Sequence, residues 1–118
     1  MAFYEYRQNN SGGDFIVNDK VAHIVIVEAD TANQADAKAE DIGLYFDGEN
    51  DCPTCGERWS SAQYQKGDKV PSHYGEPITK CKCTYMRFEK TVYVYFKNGE
   101  KKTYTATKKG FKRVHEAK

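Results

Sequence analysis

Two cysteine pairs set the tightest limit on what this chain can become. Cys52 and Cys55 stand in Cys52-Pro53-Thr54-Cys55-Gly56, and Cys81 and Cys83 flank Lys82. The two-residue gap lets both thiolates of the first pair reach one ion, and Gly56 lets the backbone turn beneath it. In a strand, positions two apart share a face, so Cys81 and Cys83 can aim together. Four soft thiolates suit zinc, held in a closed structural site rather than a catalytic one with an open position. Lys80, Lys82 and Arg58 lie near enough in sequence to offset the double negative charge of such a site. His73 is a substitute ligand if Cys81 or Cys83 points away. Three other uses compete. A redox Cys-x-x-Cys belongs at a helix start in a βαβ unit, which Gly56 and the polar loop do not resemble. Two disulfides need an oxidising compartment. Four unrelated thiols are the third alternative.

Compartment bears directly on that choice. Met1-Ala2-Phe3-Tyr4-Glu5-Tyr6 carries neither a basic leader nor an apolar stretch, and no run approaches the length of a membrane span. The expectation is a cytoplasmic chain with no membrane partner, where clustered cysteines mean metal or redox chemistry.

At 118 residues the chain reads as one domain, 1–118. An apolar fraction of 39% permits only a modest core, but 14% aromatic residues argue for order rather than disorder. The nine tyrosines suit half-exposed sheet faces, and some also suit recognition surfaces. Net charge is +1, but it is unevenly spread. Glu28, Asp30, Asp36, Glu40, Asp41, Asp47, Glu49 and Asp51 meet only Lys38, whereas Lys97, Lys101, Lys102, Lys108, Lys109, Lys112, Arg113 and Lys118 meet only Glu100 and Glu116. Such a split marks either two solvated faces or two polar docking surfaces.

Periodicity supplies the elements. Phe3 to Gln8 alternates as a strand. Asn9 to Gly13 forms a turn, and Asp14 to Val17 continues extended, either as a hairpin partner or as an excursion. Val21 to Glu28 is apolar on both faces, the pattern of a central strand, with His23 half-buried and hydrogen-bonded. Ala32 to Ile42 is a helix capped by Thr31, with Gln34 completing a capping box and Gly43 ending it. Its stripe is Ala35, Ala39 and Ile42, while Asp36, Glu40 and Asp41 face away or sideways. Residues 49–83 form an irregular insertion that needs a clamp. Lys82 to Phe88 and Thr91 to Lys97 read as strands. Asn98-Gly99 predicts a type I′ turn into a returning strand, Lys101 to Thr107, and 108–118 is a basic tail. The fold class expected is α+β: an antiparallel sheet of four to five strands, one helix on a face, and a zinc-pinned loop.

Tyr4-Glu5-Tyr6-Arg7-Gln8-Asn9-Asn10-Ser11-Gly12-Gly13-Asp14-Phe15, Glu28-Ala29-Asp30 before an alanine-rich helix, Gly43-Leu44-Tyr45-Phe46-Asp47-Gly48 and Asp51-Cys52 to Trp59 together resemble a family of small bacteriophage proteins. The resemblance spans Tyr4 to Trp59. It brings no activity and no functional residues. It implies context: a small accessory protein made in an infected bacterial cytoplasm.

No phosphate-binding glycine loop, zinc-protease helix or nucleophile elbow occurs, and His23, His73 and His115 lie far apart. The chain therefore reads as non-catalytic. Three uses follow. The first is binding of a host or antiphage-defence protein through Trp59, Tyr64, Tyr74 and Tyr85, with Trp59 equally suited to packing against the zinc knuckle. The second is nucleic-acid binding through the basic end, Lys108, Lys109, Lys112 and Arg113. The third is capture of a nucleotide by backbone amides of Asn9 to Gly13, although a plain tight turn accounts for the same residues.

Overall fold

The computed structural model describes residues 2–9, 15–46, 58–73, 76–78, 90–107 and 110–114. It contains one α-helix and seven strands in these residues: β1 (Ala2–Arg7), β2 (Ile24–Ala29), α1 (Ala32–Ile42), β3 (Ser72–His73), β4 (Glu76–Pro77), β5 (Lys90–Tyr95), β6 (Lys101–Thr107) and β7 (Gly110–Val114). Five of the strands form one sheet in the order β1-β2-β5-β6-β7, and β3 and β4 form a small second sheet.

The α+β class is as expected, but the main sheet is mixed rather than antiparallel. β2 and β5 run parallel, with Ile24 facing Val92 and Val27 facing Tyr95. The other three pairings are antiparallel. The cause is visible in β2, where Ile24, Val25, Ile26 and Val27 are all at most 3% exposed. A strand apolar on both faces belongs beside a crossover partner in the sheet centre. Residues 15–17 join no strand, so no early hairpin forms. β2 starts later than the apolar pattern suggests. Asn18 Oδ1 accepts the N–H groups of Lys20 and Val21, and a backbone bond joins Asn18 to Val21, so a turn holds residues 18–21.

Strand alternation sorts the core into two layers. Tyr4, Tyr6, Val25 and Val27 face α1, where Ala35 and Ala39 are fully buried and Ile42 packs at the margin. Phe3, Ile24, Ile26, Val92 and Val94 face the other way, under Ile78. The helix has the expected bounds. Thr31 Oγ1 accepts the Gln34 N–H at 3.1 Å, and Gly43 ends it at φ 118°. The reciprocal bond of Gln34 Oε1 comes from Asp30 N–H at 3.3 Å, one residue earlier than in the standard box.

Asp36 does not face away. It is buried, and its Oδ1 accepts from the Tyr6 hydroxyl and from Ala62 N–H, each at 2.8 Å, while Oδ2 accepts from Gln63 Nε2. It sits beside Ala35 at the edge of the apolar stripe, where a carboxylate can satisfy donors from two other segments.

The described part of the insertion has little regular structure, yet it is fastened along its length. Residues 58–73 form a strap along the outer edge of β1. Its backbone meets Phe3 twice through Asp68, at 2.8 and 2.9 Å, and meets Asn9 through the Arg58 carbonyl. Between these points the Gln65 amide side chain takes the place of a strand partner: Glu5 N–H donates to its Oε1, and its Nε2 donates to the Glu5 carbonyl. A single 3₁₀ turn, Ala62–Tyr64, docks against α1. At Gly67 (φ 78°) a Cβ would stand 2.5 Å from that of Ala2, so only glycine lets strap and strand approach this closely.

The β5–β6 connection is longer than the two-residue I′ turn predicted. Gly99 N–H bonds the Phe96 carbonyl and Phe96 N–H bonds the Glu100 carbonyl. Lys97, Asn98 and Gly99 thus form a three-residue loop, with Gly99 at φ 94° in the left-handed position such loops require. The expected basic tail is also in part a strand. β7 pairs with β6 from Thr107↔Gly110 to Thr103↔Val114. The expected strand Lys82 to Phe88 lies outside the described residues.

Candidate binding surface

The sequence-predicted sites divide sharply. Cys52, Cys55, Cys81 and Cys83 all lie outside the described residues, as do Tyr74, Tyr85, Lys108 and Lys109. So do Asn10 to Gly13, most of the proposed anion-binding turn. Among the described residues, no group of three or more His, Cys, Asp or Glu side chains is placed to hold a metal. Likewise, no helix among them is long and apolar enough to cross a membrane.

Trp59 is not an exposed anchor. It is 1% exposed and belongs to the layer with Tyr4, Tyr6, Val25 and Ala35. A large apolar side chain in a polar strap is the natural peg to fasten that strap to a core. Tyr64 lies on the 3₁₀ turn at its inner end.

His73 is buried in β3, and its Nδ1 hydrogen-bonds Glu5 of β1. Glu5 is itself buried, and its other oxygen takes Arg7 Nη1 at 2.7 Å. Burial and then the Glu5 charge hold Asp68 above the ordinary carboxylate range. Around Asp36, burial chiefly, and then the hydrogen bond to the carboxylate, push the Tyr6 hydroxyl well above its ordinary value. Both clusters join the strap to β1, the Asp36–Tyr6 cluster on the helix side of the sheet and the Glu5–His73 pair on the other. Sequence reasoning missed them because each links residues at least 26 positions apart. The one usable signal was a carboxylate next to an alanine stripe.

On the helix side of β5 and β6, tyrosines also turn inward. Tyr93 donates to the Asn18 carbonyl at 2.5 Å and Tyr95 to that of Lys20, while the Lys101 ammonium sits 3.9 Å from the Tyr93 ring centre. His23 is half-buried, as expected, and its Nδ1 accepts Thr91 N–H at 3.1 Å. Burial, then the Lys90 charge, hold its imidazole below the ordinary 6.5.

The opposite side of these strands carries an open apolar groove. Val70, Pro71, Pro77 and Ile78 form one wall of the groove, and Phe96, Lys102 and Tyr104 form its floor and rim, enclosing about 430 Å³. Val70 is 46% exposed. The Lys102 ammonium lies 5.1 Å from the Phe96 ring centre. Across the β6–β7 ladder, Arg113 stands opposite Tyr104 and Lys112 opposite Thr105. No strand pairs with the far side of β7 among the described residues.

A family model described as a domain of unknown function, DUF7296, matches residues 1–114. The chain belongs to the DUF7296 family. The match takes in every element of the DUF7296 fold described above, from β1 to the end of β7. Comparison with curated proteins and with solved structures found no match.

Proposed function

We propose that this DUF7296 chain is a non-catalytic bacteriophage accessory protein that binds a host or antiphage-defence protein in the bacterial cytoplasm and blocks or redirects it. The observation that supports this most is the edge strand β7. Its outer side has no strand partner among the described residues, and Lys112 and Arg113 lie on it, on opposite faces. An edge of this kind accepts an added strand from a partner, and its cations favour an acidic one. The Glu5–His73 pair does not compete with this reading. Both residues are buried and bonded to each other, which suits a fastening more than a reaction centre.

A structural zinc on Cys52, Cys55, Cys81 and Cys83 belongs to the same proposal. His73 keeps its place as substitute ligand, because a carboxylate on one ring nitrogen is the arrangement that orients metal-bound histidines.

The test is affinity purification of the tagged chain from bacterial lysate, beside a Lys112→Glu/Arg113→Glu variant. A stoichiometric protein should be recovered with the parent chain and lost with the variant. If nothing stoichiometric is recovered, the proposal fails.

A second reading, nucleic-acid binding, draws on one further observation: Lys102, Tyr104, Phe111 and Arg113 share a sheet face by register. Aromatic and cationic residues on one sheet face suit single strands. A gel-shift titration decides it, since phosphate contacts weaken steeply with salt.

A further inference from the structure

We propose that the groove between the β3–β4 hairpin and the sheet is an anchor pocket. Its occupant is a large apolar side chain carried on an acidic segment of a protein partner. This rests on the protein-binding reading and adds the contact that would give it specificity.

The groove has the build of a preformed site. Pro71 and Pro77 stiffen its wall, and the Ile78 N–H is spent on the Pro71 carbonyl at 3.0 Å. Phe96 stands edge-on to Phe3, with ring centres 5.7 Å apart, so the floor is braced from below. Val70 leaves apolar surface at the mouth with 46% of its area exposed. A volume of about 430 Å³ accommodates an aromatic or leucine side chain.

Charge selects the kind of segment that carries it. Lys102 is the one charged residue among the described residues lining the groove. No carboxylate among the described residues lies within ion-pair distance of it. In the β6–β7 register Arg113 stands opposite Tyr104. An apolar floor with a cationic rim is matched by an apolar side chain next to a carboxylate. A nucleobase is the competing occupant: the wall of Val70, Pro71, Pro77 and Ile78 offers no side-chain donor or acceptor to its polar edge, and only Lys102 and Tyr104 could meet it.

The experiment is a titration of isotope-labelled protein followed by amide NMR, with three probes: N-acetyl-tryptophan, its uncharged amide, and adenosine monophosphate. N-acetyl-tryptophan should perturb Val70, Ile78, Phe96, Lys102 and Tyr104. The amide should bind a few-fold more weakly, the size of an exposed ion pair. Val70→Asp should abolish the response with the spectrum otherwise intact, and Lys102→Glu should remove the preference for the carboxylate. The inference is overturned if the perturbations fall elsewhere, if the amide binds equally well, or if the nucleotide moves the same resonances more strongly. Probe binding without a captured partner leaves the pocket and removes the proposed function. A partner lost with Lys112→Glu/Arg113→Glu but kept with Val70→Asp does the reverse.

Discussion

The two edges of the sheet are finished in opposite ways. Along β1 the outward backbone groups of Phe3, Glu5 and Asn9 are bonded in turn to Asp68, the Gln65 side chain and Arg58. Beneath that seam lie Trp59 and two buried carboxylates, Glu5 and Asp36. Along β7 no strand lies outside among the described residues, and cations occupy the positions. A protected edge prevents pairing with other chains, and an open one with positive charge restricts which chains can pair. One edge serves the fold; on the proposed function the other takes the partner.

Removing metal should test that contrast most severely. If zinc pins the insertion, elemental analysis finds one ion per chain, and a strong chelator lowers stability by on the order of 10 kcal/mol, enough to abolish cooperative melting. An unchanged melting curve means that the hydrogen bonds and Trp59 hold the strap without it. Trp59→Ala should cost about 3–5 kcal/mol in urea unfolding, the range for emptying a large aromatic site. A loss below about 1 kcal/mol would mean that the strap is not fastened there.

Asp36→Ala comes next, at about 2–3 kcal/mol, because it strands the Tyr6 hydroxyl and the Ala62 N–H in the interior. Tyr6→Phe, which removes only one of these bonds, should cost about 1 kcal/mol. Equal losses would show that the two residues act only through each other.

At the β2–β5 seam the effect is smaller and depends on pH. His23 is held below its ordinary 6.5, so the folded state takes up this proton less readily than the unfolded chain. Its contribution is present above about pH 6.5 and is lost as pH falls below that value. Asp68 has the opposite sign: its carboxyl is held above its ordinary value, so its contribution is present at low pH and is lost as pH rises through the raised folded value. The two groups have opposite signs, so a substitution at His23 separates its part of the pH dependence between pH 7 and 5. His23→Asn should flatten the fall in melting temperature there. An unaltered slope would assign the fall to another group. Lys112→Glu/Arg113→Glu should do least, staying within about 0.5 kcal/mol of the parent. A large loss would mean that the β7 edge is structural after all.

Much of the local structure was legible in the sequence. The bounds of α1, its cap at Thr31 and its end at Gly43 follow from residue types within four positions of each other. The two-sided burial of β2 was visible in its run of β-branched residues. What escaped was every feature that depends on distant pairing. Nothing near Ile24 names Val92 as its neighbour or gives the direction of that pairing. Gln65 reads as a polar loop residue until it is seen completing the hydrogen bonds of Glu5. Trp59 was left open because the same residue suits a recognition surface and a buried peg, and only the three-dimensional path of the strap separates them. The groove was out of reach for the same reason, since its wall comes from residues 70–78 and its floor from 96–104.

The parallel seam also governs how the chain is made. His23 and Thr91, bonded across it, are 68 residues apart in sequence. While that distance is being synthesised, β1, β2 and α1 can assemble, but the inner edge of β2 waits with the backbone groups of Ile24 and Ile26 unpaired. Chains dominated by such remote pairings fold slowly and expose sticky strands in the interval. A nascent chain stalled before Tyr95 would be a natural client for chaperones, and its yield in a cell would depend on translation speed as much as on final stability.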